Sequence, residues 1–229
     1  MKGYRIKIIR HGKTLAFENS SYIGITDFPL TKEGTDELLN KKEEYEYGRI
    51  QKVYSSPLTR AVETAEILFP NNFLHVVTEM GEMSFGDFEG KTREQLENLP
   101  QYKKWLQGGI DNAPPNGESL RTMLERVFEG LCFIVEDMMQ NSLTNVALVT
   151  HGGIIMNLLS CFGVPKLEST EFLSDFGEGF EILITAEMWQ RSNAFEILGM
   201  YPYNKTEENS EDDLYEDNFD YDDEDYFEE

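Results

Sequence analysis

Residues Asn145–Thr150 (NVALVT) form an almost unbroken apolar run that stops at His151-Gly152-Gly153 and passes into a second apolar stretch, Ile154–Phe162. A strand without polar alternation has both faces buried, and such strands belong to parallel sheets covered by helices on both sides. The rest of the chain repeats the theme. Tyr4–Ile9 is a β-rich run ending at Arg10-His11, and Lys52–Ser55 is a short strand stopping at Ser55-Ser56-Pro57. Thr31–Tyr47 is helix-friendly with Thr31 as N-cap, Leu58–Phe69 carries apolar residues at helical spacing, and Glu118–Met139 is a long amphipathic pattern. Phe73–Val77 reads as a further strand, and Phe180–Thr185 and Ala194–Leu198 as two closing ones. The alternation predicts an α/β fold, a three-layer sandwich with a mostly parallel central sheet flanked by helices. Ligands of such sheets sit at the carboxyl ends of the strands.

The chain has 229 residues, enough for one substantial core. We expect one domain over residues 1–203, followed by an acidic disordered tail over 204–229. That tail holds 14 acids against one lysine and more than half of the net charge of −23. A charge of this sign excludes nucleic acid as a partner, because binding there depends on Lys and Arg. A basic partner for the tail is a further expectation. No apolar run approaches the ~18 residues of a membrane helix, and no uninterrupted apolar segment follows the first residue, so neither a membrane span nor a signal peptide is expected. Cys132 and Cys161 sit in apolar segments and are expected to be buried thiols, which fits a reducing cytoplasm.

Two of the three histidines, His11 and His151, follow strands and precede glycine. His75 lies inside a strand and reads as a packing residue. A neutral imidazole can attack phosphorus and divide one difficult displacement into two easier ones. Such a site needs arginines to hold the phosphoryl oxygens, and the candidates are Arg10, next to His11, and Arg60, which follows Ser55-Ser56-Pro57-Leu58-Thr59. The backbone at Gly152-Gly153, opening a helix, adds anion contacts. A carboxylic acid must also supply the proton of the leaving oxygen, and composition alone does not choose it.

The motifs add a resemblance. Arg10-His11-Gly12-Lys13-Thr14 resembles the RHG[ED]T signature of the histidine phosphatase superfamily, the phosphoglycerate-mutase-like fold. Gly24-Ile25-Thr26-Asp27-Phe28-Pro29-Leu30-Thr31 is similar to that family's G-x-x-D-x-P-L-T element. Ser55-Ser56-Pro57-Leu58-Thr59-Arg60-Ala61 is similar to SSPL-x-RA. The stretch from Glu82 to Gly90 is similar to E-x-x-x-G-x-[WF]-E-G, Pro115–Ser119 to P-x-GES, and Val149–Gly153 to V-[TS]-HGG. The resemblance spans roughly residues 4 to 200.

It implies that His11 is phosphorylated, that Arg10, Arg60 and His151 clamp the phosphoryl group, and that Glu82 is the general acid and base. Glu79 and Glu89 are its rivals by proximity; the match of Gly86 and Gly90 to the pattern favours Glu82, and Glu89 reads as structural. Ser21, Gly24 and Gly152 fall among the substrate-contacting positions. No metal and no cofactor are implied. Two positions depart from the pattern: Phe17 where many members carry Asn, and Ser21 where many phosphatases carry Arg. The Glu82 segment resembles the phosphatase branch that includes alpha-ribazole phosphatases. A small phosphorylated metabolite, alpha-ribazole 5′-phosphate among others, is therefore the expected substrate. A phosphoglycerate-type mutase and a catalytically weak phospho-ligand-binding protein are the alternatives. Specificity is expected to depend on a cap over about residues 89–118, where Phe88, Tyr102 and Trp105 either pack or line the site.

Overall fold

The computed structural model describes residues 2–15 and 21–205. Phe17 and residues 206–229 of the acidic segment, with the docking role expected of it, lie outside the described residues. In chain order, β1 (Gly3–Arg10) leads to α1 (Lys32–Glu44), β2 (Tyr45–Glu46), β3 (Lys52–Ser55), α2 (Thr59–Leu68) and β4 (Leu74–Val76). Loops and two short helices, α3 (Arg93–Leu96) and α4 (Pro100–Leu106), precede the long α5 (Leu120–Gln140). The chain closes through β5 (Asn145–Thr150), α6 (Gly152–Phe162), β6 (Gly163–Val164), β7 (Gly179–Thr185), α7 (Ala186–Ser192), β8 (Phe195–Tyr201) and β9 (Tyr203–Asn204).

The main sheet runs β4-β3-β5-β1-β7-β8-β6. Its β4-β3-β5-β1 half is parallel throughout, and β7 and β8 then join antiparallel. Strand pleating sorts the core between the two faces. On one face Ile6, Ile8, Val146 and Leu148 pack under α5 and α6. On the other Ile9, Ala147 and Val149 pack under α1 and α2, through Leu38, Ala61 and Ala65. Val146, Ala147, Leu148 and Val149 are all fully buried, so β5 is an apolar run because it has no solvent face. Burial of each of Val146, Leu148 and Val149 contributes roughly 1.5–3 kcal/mol.

Caps fix where helices start. The Thr31 hydroxyl accepts from the Gly34 N–H to begin α1, and Ser119 accepts from Thr122 to begin α5. The cap region builds a small core of its own. Phe88, Leu96 and Tyr102 are buried against Tyr22, Phe85 and Trp105, with Tyr22 and Trp105 edge to face at 5.5 Å. These aromatics pack against one another.

The sulfur expectation needs correction: Cys132 is only partly covered and Cys161 is exposed. Cys161 lies in α6, but the buried stripe of that helix is Ile154, Ile155, Leu158 and Leu159. Asn204, at the start of the acidic segment, pairs with Tyr45 in the β2-β9 ribbon.

Candidate active site

The four parallel strands deliver their carboxyl ends to one edge of the sheet. His11 follows β1 and donates its N–H to the Thr150 carbonyl at 2.9 Å, and Ser56 follows β3 and donates to the Val149 carbonyl at 2.9 Å. His151 follows β5, and the segment after β4 carries Glu82. The strand ends thus bring residues 11, 56, 82 and 151 together from across 140 positions of sequence. A cavity of about 180 Å³ opens there, lined by Arg10, His11, Arg60 and Glu82, with Ser21, Gly152 and Phe176 at its walls.

The imidazole of His11 is oriented by its own backbone. Nδ1 lies 2.6 Å from the Gly12 carbonyl, which can only accept, so Nδ1 carries the proton and Nε2 keeps its lone pair. Burial, then the neighbouring Arg60, pulls the His11 pKa down to about 3. Burial, with His11 and the arginines, pushes His151 well below its ordinary value too. Both rings are therefore neutral at pH 7, with centroids 5.1 Å apart. Ser56 Oγ sits 2.7 Å from His151 Nε2.

Two arginines border the cavity. Arg60 is 2 % exposed, and donates from Nη1 to the Thr26 carbonyl at 3.0 Å and from Nη2 to the Gly24 carbonyl at 2.7 Å. Gly24 thus meets the site through Arg60. Its loop passes so close to the next one that a Cβ on Gly24 would stand 1.8 Å from the Met83 carbonyl. Glu89 ties this loop down, accepting from the N–H groups of Gly24, Ile25, Thr26 and Phe85 and from the Thr26 hydroxyl. Burial alone would raise the Glu89 pKa, but these donors hold it below the usual carboxylate value. The guanidinium of Arg10 gives Nη1 to the Ser174 carbonyl at 2.7 Å and lies 4.2 Å from the centre of the Phe176 ring. Its Nε is buried and has no partner among the described residues, and the same holds for Nδ1 of His151.

Glu82 faces the arginines. Met83 N–H donates to one carboxylate oxygen at 2.9 Å and Gly153 N–H to the other at 3.3 Å. A side chain at position 153 would meet Glu82 Oε1 at 2.8 Å, so the second glycine of the His-Gly-Gly turn makes room for this carboxyl. Burial raises the Glu82 pKa, against the pull of those N–H groups and of Arg60. Arg126, from α5, fastens the segment from behind. It donates to the carbonyls of Glu79, Gly81 and Glu82 at 2.6, 2.8 and 3.1 Å and pairs bidentately with Glu118 at 2.7 and 2.8 Å.

Each expected site residue therefore reaches this edge: Arg10, His11, Ser21, Arg60, Glu82 and Gly152 line the cavity, His151 packs against His11, and Gly24 braces Arg60. Sequence reasoning did not single out Arg126, the pairing of Ser56 with His151, or Phe176. No local spacing marks them, since each contact joins segments far apart in the chain. Among the described residues no three His, Cys, Asp or Glu side chains gather into a metal set, and no helix is long and apolar enough to cross a membrane.

Neutral imidazole, paired guanidinium groups and a carboxyl with raised pKa at the carboxyl edge of a parallel sheet define an α/β site for phosphate esters. The chain belongs to the histidine phosphatase superfamily (branch 1), whose family model matches residues 6–174, and it is a phosphatase of that family. It is 29% identical over 178 residues to the adenosylcobalamin/alpha-ribazole phosphatase of Escherichia coli (strain K12), covering 76% of this chain and 86% of that protein. Identity is 31% over 173 residues to the uncharacterized phosphatase PhoE of Bacillus subtilis (strain 168), covering 73% and 82%. The alpha-ribazole phosphatase from Shigella flexneri matches with a TM-score of 0.74 at 25% identity, covering 89% of this chain and 99% of that one.

Proposed function

We propose that this protein hydrolyses the phosphomonoester of a small molecule through a phosphohistidine at His11. The observation that carries the proposal is a pair of buried nitrogens, Arg10 Nε and His151 Nδ1, that have no partner among the described residues and stand beside a neutral histidine. A buried polar group left unpaired costs roughly 1–3 kcal/mol, so a site that keeps two is built for a ligand that satisfies them. A phosphoryl group has the oxygens to do so.

The steps follow from the geometry. The Nε2 lone pair of His11 attacks phosphorus and the P–O bond to the alcohol breaks. Glu82, whose burial favours the protonated form, gives its proton to the leaving oxygen. Arg10, Arg60 and His151 Nδ1–H take up the charge on the equatorial oxygens. Water then attacks phosphorus, Glu82 accepts its proton, and the N–P bond breaks to free His11 and phosphate. The relatives named for alpha-ribazole phosphate point to an alpha-ribazole-like nucleoside phosphate as one substrate. Two free cysteines suit a reducing compartment, and we place the enzyme in the cytoplasm.

The test is turnover of p-nitrophenyl phosphate with EDTA present, beside His11→Ala, together with acid-labile phosphate trapped on the protein. Activity and label that both vanish in the variant are the expected result. Activity that persists in His11→Ala overturns the reading.

A further inference from the structure

A second and larger space opens beside the first. A groove of about 680 Å³ shares Glu82 with the phosphoryl cavity, so the carboxyl stands between the two. Nothing but the alcohol part of a substrate needs to lie beyond the acid that protonates it. The volume suits a molecule of nucleoside or sugar size.

Charge decides what the groove accepts. Its one arginine, Arg126, is exhausted. A guanidinium has five N–H donors, and Arg126 spends them on the carbonyls of Glu79, Gly81 and Glu82 and on both oxygens of Glu118. At the rim, Arg121 is engaged by Asp111 through Nε at 2.5 Å and Nη2 at 3.3 Å. On the far side of Phe176, Lys13 pairs with Glu33 and Lys41 with Glu178. Residues 16–20 and 206–229 contain no Lys, Arg or His. What the groove does offer is an apolar wall of Ile25 and Leu58 and polar neutral groups at Ser84, Asn116 and Thr122.

We infer that this groove is the leaving-group subsite and that it selects phosphomonoesters of uncharged, hydroxylated alcohols over those carrying a second phosphate or a carboxylate. The inference rests on the hydrolase reading above. A second anion in the groove would meet Asp111 and Glu118, each already paired with an arginine whose donors are thereby taken, while Lys104 lines the adjoining pocket beyond Asp111 and Ala113 and not the groove itself. The same feature disfavours a bisphosphorylated intermediate and so favours hydrolysis over phosphoryl shuttling between positions of one substrate.

A matched pair of probes tests it: glycerol 3-phosphate and 3-phosphoglycerate, which differ at the end remote from phosphorus by a hydroxymethyl against a carboxylate. At 0.2 M salt, where repulsion from the acidic surface is largely screened, kcat/KM is expected to favour glycerol 3-phosphate by about 100-fold. Ala113→Arg, which sets a cation on the exposed groove wall, should narrow that ratio by about tenfold. Equal or better hydrolysis of 3-phosphoglycerate, or a ratio that Ala113→Arg does not move, overturns the inference while His11-dependent turnover of p-nitrophenyl phosphate leaves the hydrolase reading standing. Loss of turnover on every ester overturns both.

Discussion

Two arginines on opposite sides of Glu82 are used in opposite ways. Arg126 has every N–H filled, three of its contacts falling on the carbonyls of Glu79, Gly81 and Glu82. Arg10 keeps a buried Nε empty and otherwise holds the Ser174 carbonyl. The same side chain is scaffold in one place and receptor in the other, and the difference lies in which donors the protein itself consumes. A saturated guanidinium fixes a backbone segment; a partly unsaturated one in a cavity waits for oxygens from outside. Glu82 joins the two regions, its carbonyl held by Arg126 and its carboxyl turned to the cavity.

The sharpest test of that division is Glu82→Gln, which leaves the backbone clamp intact and removes the proton. In single-turnover phosphorylation of His11, an alkyl phosphate should slow by about 10³-fold, while an aryl phosphate with a good leaving group slows far less. The pH profile carries the sign. His11 must be neutral to attack, and with its pKa at about 3 it is neutral over the whole range above that value. Glu82 must be protonated to donate, and its raised pKa extends that state above the ordinary carboxylate range. Phosphorylation by an alkyl ester should therefore be fastest in acid and fall as pH climbs through the Glu82 value, and this alkaline fall should vanish in Glu82→Gln. Equal slowing of both esters would remove Glu82 as the acid.

Next in size is the exchange of each arginine for lysine. Arg10→Lys keeps a charge but loses the fork, so kcat/KM should drop by roughly 10²-fold while thermal stability changes little. Arg126→Lys should do the reverse. It breaks a part-buried pair with Glu118 and frees three carbonyls, which should cost about 3 kcal/mol of stability with a smaller fall in rate. Kinetic and melting data on the two variants check this together. A pair of variants that lose rate and stability in the same proportion would erase the distinction between receptor and scaffold.

How much of this was legible in the sequence follows the range of the interactions. β3 and β5 match their sequence-read bounds because both are set by the local burial pattern, and Thr31 caps α1 because a cap is a contact across three residues. The site residues were legible as motifs at strand ends. The antiparallel joining of β7 and β8 was not, since strand direction depends on connections that hydrophobic period does not record. Cys161 was misjudged for a related reason: an apolar run shows that a helix is buried but not which of its residues turns outward. Arg126 was illegible because its carbonyl partners lie 44 to 47 residues away in sequence, joined only once α5 has packed.

Ser56 offers the finest test of how the protein assigns donors. Its hydroxyl oxygen accepts the Leu58 N–H at 3.3 Å and stands 2.7 Å from His151 Nε2, both residues being fully buried. When the hydroxyl gives its proton to Nε2, the ring proton is left on Nδ1, where a phosphoryl oxygen can receive it. Ser56→Ala removes the group that selects this tautomer without touching the cavity. Turnover should fall by only about tenfold, because one donor is weakened and none removed. The imidazole ¹⁵N spectrum should change more plainly, from one tautomer with a protonated Nδ1 to a mixture of two. If the spectrum of the variant matches that of the intact protein, the tautomer is set by the cavity itself, and Ser56 belongs with Arg126 among the residues that merely hold the frame.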